Sequence, residues 1–168
     1  SVEQIIALAP TTAPKAHLYL WVINQHLDWG YQVARAWDFE PQQMITWCKP
    51  GYGTGQFQCN TEQVLLCRKG GATGNAFGMT RGTWFDWPRG RRHSEKPEGF
   101  YSLVERVSPG PYLELFARRC RAGWAAMAIL MATGALARAD VVLDLLVRDL
   151  AGNPVDIIEA GDNILVFI

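Results

Sequence analysis

The run AHLYLWVI at Ala16–Ile23 has no polar alternation: apart from His17, every position is apolar or aromatic. A strand covered on both faces reads this way, as in a largely parallel sheet. Ahead of it, Ser1–Leu8 predicts a short helix with Ser1 as N-cap and Val2, Ile5 and Ile6 on one side; Pro10 and Pro14 end it. Behind it, Leu27–Trp37 sets Val33, Ala34 and Trp37 on one helical side. Gln43–Cys48 and Thr61–Cys67 read as further strands, and the proline and three glycines of Pro50–Gly55 mark a loop between them. A helix is expected over Glu98–Val107, opened by Pro97 and stopped by Ser108-Pro109-Gly110, with a fourth strand over Pro111–Ala117. Strands alternating with helices predict an α/β layer fold with a mostly parallel sheet and flanking helices. After Trp124 the texture changes. Ala125–Leu136 and Ala139–Leu150 read as two helices, Asn153-Pro154 as a turn and Ile164–Ile168 as a last strand. The expected division is a main unit over 1–124 and a divergent helical tail over 125–168 packing on the same domain.

Composition changes this picture little. The 168 residues are 49% apolar with a formal net charge of zero, which suits a single globular domain and argues against disorder. The balance lacks the overall basic footprint of a protein that grips phosphates by itself. Local charge still matters, since Arg89, Arg91, Arg92 and His93 form one basic cluster. Cys48, Cys59, Cys67 and Cys120 show no zinc or redox spacing, so reduced structural thiols and no metal are expected. No basic segment leads into a long apolar run at the start, and Ala125–Leu136 is too short to span a bilayer. A cytoplasmic protein away from membranes is the expectation.

The chemistry concentrates in two places. The stretch from Gly70 to Lys96 is long for a loop in a compact domain, and such loops are usually functional. It interleaves Trp84, Phe85 and Trp87 with the basic cluster, a mixture that suits base stacking and phosphate contact. The second place is the fourth strand. Ligands of α/β sheets sit beyond the carboxyl ends of the strands. A carboxylate there, Glu114, has the chemistry to accept hydrogen bonds from ribose hydroxyls, and Lys96 or Arg118 to hold a carboxylate.

The block HSEKPEGFYSLVERVSPGPYLELFARRCRAGW (His93–Trp124) adds order to those residues. Its Lys-Pro before a helix, its Ser-Pro-Gly, its apolar strand ending in Glu-Leu-Phe-Ala-Arg and its Gly-Trp resemble the MT-A-type adenine-N6 methyltransferases. That family includes the messenger-RNA adenosine methylase and phage and bacterial DNA methylases. LYLWVINQHLDWGYQVARAWDFEPQQMITWCKP resembles the family's strand–helix–strand unit ending in Trp-x-Lys, here Trp47 and Lys49. GTGQFQCNTEQVLLCRKG resembles its next strand, with Glu62 at the acidic position. The resemblance covers about Ser1 to Trp124. It implies a Rossmann-like fold and S-adenosyl-L-methionine as cofactor. Lys96 is then expected near the cofactor's methionine carboxylate, and Glu114, Phe116 and Arg118 along its pocket. Lys49, Glu62, Trp87, Arg89 and Arg91 are expected toward the target base and its strand. The implied reaction is methyl transfer to the exocyclic amine of adenine, in DNA in preference to RNA, by a homo- or hetero-dimer. Neutral net charge is compatible, because a target base flipped into a pocket needs only modest backbone contact.

Two departures stand against the family pattern. Its Asp-Pro-Pro-aromatic signature, placed before the first strand seen here, is absent, for no two prolines adjoin. After Trp124, AAMAILMATGALARADVV replaces the family's Gly-Asn-Glu or Gly-Asn-Gln. The expectation is a domain N-terminally truncated relative to the family, with an open apolar sheet edge that the tail helices cover. A non-catalytic nucleic-acid-binding or scaffolding partner of an active methyltransferase is the alternative function.

Overall fold

The computed structural model describes residues 1–76, 78–90, 95–117, 121–127 and 163–167, the last five by backbone alone. Three helices, α1 (Val2–Ile6), α2 (Leu27–Ala36) and α3 (Glu98–Val107), flank one sheet. Its strands are β1 (Ala16–Val22), β2 (Glu40–Cys48), β3 (Thr61–Lys69), β4 (Trp84–Phe85), β5 (Tyr112–Leu115), β6 (Trp124–Met127) and β7 (Asn163–Phe167), in the order β4-β2-β3-β1-β7-β5-β6.

All seven residues of β1 are buried, which is why the run shows no alternation. Leu18, Leu20 and Val22 face α1 and α2, packing with Val2, Val33, Ala34 and Trp37. Tyr19 and Trp21 face the other side, where Phe100, Tyr101 and Val104 of α3 meet them. Close approach of α2 requires Gly30, since a Cβ there would lie 2.8 Å from Val22 Cγ2. At the far end of α3, the buried Ser108 hydroxyl shares hydrogen bonds with His17 Nδ1 and Tyr19 Oη, each 2.7 Å.

The sheet is mixed, which corrects the expectation of a mostly parallel Rossmann-like one. β3 runs antiparallel to both β1 and β2. The β2–β3 connection is a hairpin rather than a helical crossover, because only the loop of residues 49–60 separates the two strands. The other pairings, β1–β7, β2–β4, β5–β6 and β5–β7, are parallel.

Three further expectations shift. β2 begins at Glu40 rather than Gln43, because Pro41 and Gln42 lie in a bulged, exposed stretch without an apolar signal. β4 is two residues inside what reads as loop. Ala125–Met127 belong to β6 rather than to a helix; pairing with β5 overrides the helical preference of alanine. The remainder of both expected tail helices lies outside the described residues.

The last strand meets a different fate from the open edge expected of the sheet. β7 pairs in parallel with β1 on one side and with β5 on the other, so the slot between those strands is filled from the tail. Among the described residues, no helix is long and apolar enough to cross a membrane.

Candidate functional site

The site sits on the α3 side of the sheet, where β1 and β2 end. Trp47 pairs with Glu62 across the β2–β3 ladder. Lys49 follows directly after β2, and Lys96 stands just before Pro97, the N-cap of α3. These three segments converge on one carboxylate. Lys49 Nζ donates to Glu62 Oε1 at 2.9 Å, and Lys96 Nζ donates to Glu62 Oε2 at 2.7 Å. The Lys96 ammonium also lies 4.2 Å from the centre of the Trp21 ring, within cation–π range. Sequence reasoning divided these residues between cofactor and substrate; the fold brings all three together.

An aromatic frame holds the cluster. Trp21 meets Trp47 and Phe100 edge-on, at 5.9 and 4.8 Å between centroids. Trp47 Nε1 donates to the Trp87 carbonyl at 2.8 Å. The Trp87 ring stacks on Phe85 at 4.4 Å and meets Phe100 edge-on. It also lies against the first turn of α3 so closely that a Cβ on Gly99 would come within 2.3 Å of Trp87 Cδ1. Only glycine admits that approach. Arg89, two residues further on, is exposed. Arg91 and Arg118 lie outside the described residues.

Glu114 occupies a separate position on β5, at the level of Tyr19 with β7 between them. Its carboxylate is buried, 4% exposed, and accepts the Tyr101 hydroxyl at 3.0 Å. Tyr101 touches Phe100, which touches Trp21, so the two acidic positions are linked through rings. Phe116 leaves β5 with a left-handed φ of 64° and packs toward the α1–α2 side, away from Glu114. Beside Glu114, Arg121 donates to both Glu98 and Glu105, and Trp124 Nε1 donates to Glu105 at 2.9 Å, tying α3 to β6.

Sequence reasoning missed Trp21, Tyr101 and Gly99. Trp21 was hidden inside a uniformly apolar run, though the period of two that sets Tyr19 and Trp21 on one face was the available signal.

The cluster has a pH signature. Burial pushes the Glu62 carboxyl upward, but the hydrogen bond and charge of Lys96, then those of Lys49, overcome it and hold it below 4.5. Burial, against the Ala72 backbone contact, holds the His17 imidazole below 6.5. Stability owed to Glu62 is complete above pH 4.5 and is lost as pH falls through its lowered folded value. His17 resists protonation that the unfolded chain accepts, so stability starts to fall below pH 6.5. Melting temperature against pH should therefore decline in two stages. Glu62→Gln should cost about 2 kcal/mol at pH 7 and abolish the lower stage. An unchanged acid limb in that variant would show that the ion cluster does not form.

Charged and aromatic groups gathered at strand ends of a sheet with helices on both faces define an α/β protein of the ligand-binding kind. A family model described as MT-A70 matches residues 4–128, and the chain belongs to that family of adenine-N6 methyltransferases, whose fold is that of S-adenosylmethionine-dependent methyltransferases. Over 120 residues, 65% of its length, the chain is 28% identical to the N(6)-adenosine-methyltransferase catalytic subunit METTL3 of Homo sapiens and to that of Mus musculus. It matches the METTL3 subunit of Danio rerio equally, and spans 20% of the length of each relative.

Proposed function

We propose that the chain carries a cofactor-facing and base-facing wall of an adenine-N6 methyltransferase acting on nucleic acid. The main support is the convergence of Lys49, Glu62 and Lys96 beside stacked aromatic rings, in a chain of that family. In this reading residues 1–124 form the methyltransferase-like unit, and residues 125–168 pack on it as a tail.

The residues fit S-adenosyl-L-methionine in kind. Lys96 offers an ammonium of the sign that a methionine carboxylate needs, and Glu114 offers a carboxylate of the kind that accepts ribose hydroxyls. Arg118 and the turn at Phe116 complete that side. When bound, the cofactor supplies an electrophilic methyl group on its sulfonium. Lys49 and Glu62 then face the target base, with Trp87, Arg89 and Arg91 along its strand. Glu62 holds both ammonium groups at fixed positions, so neither has to be ordered when ligand arrives.

The adenine amine is a weak nucleophile because its lone pair is delocalised into the ring, and acceptors must orient it. The Asp-Pro-Pro-aromatic acceptor motif is absent from these 168 residues. That observation favours a second reading, a non-catalytic nucleic-acid-binding or scaffolding partner. Sequence reasoning favours a DNA strand; the relatives are named for adenosine, a ribonucleoside, so RNA belongs in the same assay.

Calorimetric titration with S-adenosyl-L-methionine separates the readings. The cofactor should bind, and Lys96→Ala should weaken it roughly ten-fold or more, the scale of one charge-assisted contact. Glu114→Gln should weaken it less, since the amide retains an acceptor. No detectable binding to the unmodified chain would sink the enzyme reading and leave the scaffold.

A further inference from the structure

The loop that joins β2 to β3 has a composition the fold does not explain. Residues 50–60 read PGYGTGQFQCN: no leucine, isoleucine, valine or methionine, and no carboxylate. Two large rings nevertheless stand in solvent, Tyr52 at 74% exposure and Phe57 at 95%. Neither packs in a core, and large rings held in water are uncommon without a partner. The loop is rooted firmly. Lys49 N donates to Asn60 O at 2.6 Å, Gly53 N donates to Cys59 O at 2.9 Å, and Asn24 Nδ2 donates to Cys59 Sγ at 3.2 Å.

Its root is the ion cluster itself. Lys49 opens the loop, and Glu62 follows one residue after the start of β3. Tyr52 and Phe57 come three and eight positions after Lys49. Alongside, Trp84 is 60% exposed and donates through Nε1 to Cys48 Sγ, the residue before Lys49. Exposed Arg89 follows on the same segment, with exposed Asp86 between them. The rings are thus dispersed singly among glycines and amides, next to cationic side chains. A protein-binding patch would offer contiguous aliphatic surface. Separated π-faces beside cations suit unpaired bases and their phosphates.

We propose that the β2–β3 loop is a stacking wall for a single, unpaired nucleic-acid strand, with Tyr52 and Phe57 taking bases that flank the target. This rests on the methyltransferase reading and narrows its substrate to single-stranded nucleic acid, or to a locally opened duplex. Both rings lie outside the core, so their removal leaves the fold intact.

The test uses the full chain and fluorescence anisotropy with labelled DNA and RNA strands of about 12 nucleotides, each single-stranded or paired. Single strands should bind more tightly than the duplexes. Tyr52→Ala with Phe57→Ala should weaken single-strand binding roughly ten-fold or more, while replacing both by tryptophan should restore it. The salt dependence should survive loss of the rings, which carry no charge, and should flatten in Arg89→Ala. Equal affinity of the double alanine variant for single strands overturns the wall, as does equal binding of duplex. Loss of self-association in that variant without a change in strand affinity also overturns it and assigns the rings to a protein contact. Cofactor titration is read separately: a chain that binds S-adenosyl-L-methionine but no strand loses the wall and keeps the cofactor site. Ring-dependent strand binding without cofactor binding does the reverse.

Discussion

Phe100→Ala is expected to lower the stability of the fold by about 3–5 kcal/mol, the usual cost of emptying a fully buried aromatic site. Phe100 has no exposed surface and meets Tyr19, Trp21, Trp87 and Tyr101 edge-on. It is therefore the contact through which α3 reaches both the sheet and the long loop. Its removal should also loosen Trp21, on which the Lys96 ammonium rests, and free Trp87 from the first turn of α3. Urea denaturation measures the stability loss, and tryptophan fluorescence reports the change in ring packing. Phe57→Ala is the matched control: the same chemistry at an exposed ring should change stability by no more than about 0.5 kcal/mol. If Phe100→Ala cost as little as Phe57→Ala, the α3 contact would not be the one that holds the site together.

The contrast between those phenylalanines shows what the sequence reveals and what it conceals. β1 was legible because burial on both faces leaves an unbroken apolar run. α3 was legible because Pro97 opens it and Ser-Pro-Gly closes it. The candidate site was legible in its charged members, since Lys49, Glu62 and Lys96 fall at motif positions. Their meeting on one carboxylate was not, because the sequence distance from 49 to 96 carries no information about the hairpin that folds Glu62 between them. Pairing direction was hidden for the same reason. An apolar run states that a strand is buried but leaves open which way its neighbour runs. The two-residue β4 and the alanine-rich β6 owe their conformation to neighbouring strands rather than to local preference, and local pattern failed at both.

Leu165→Pro is expected to have the other large effect, and the reason lies in strand order. Among the described residues, β1 and β5 do not pair with each other; β7 joins them. Leu165 is registered opposite Tyr19 on one side and Glu114 on the other. Proline removes a backbone donor, and its ring is poorly tolerated inside a sheet, at a cost of about 3 kcal/mol or more. Without β7, two strand edges would be left open between halves of the sheet, a template for association with other chains. The halves carry different parts of the site: β1 supplies Trp21 beneath Lys96, and β5 supplies Glu114. Loss of β7 should therefore uncouple the distance between the lysine cluster and the buried carboxylate, not merely lower stability. The expected result is a broadened, non-cooperative thermal transition by circular dichroism and a shift to larger species in size-exclusion chromatography. A chain lacking residues 163–168 should behave alike, and a synthetic peptide of those residues should partly restore the sharp transition. A proline variant that melts as sharply as the parent, at the same midpoint, would show that β1 and β5 are held together by something other than this strand.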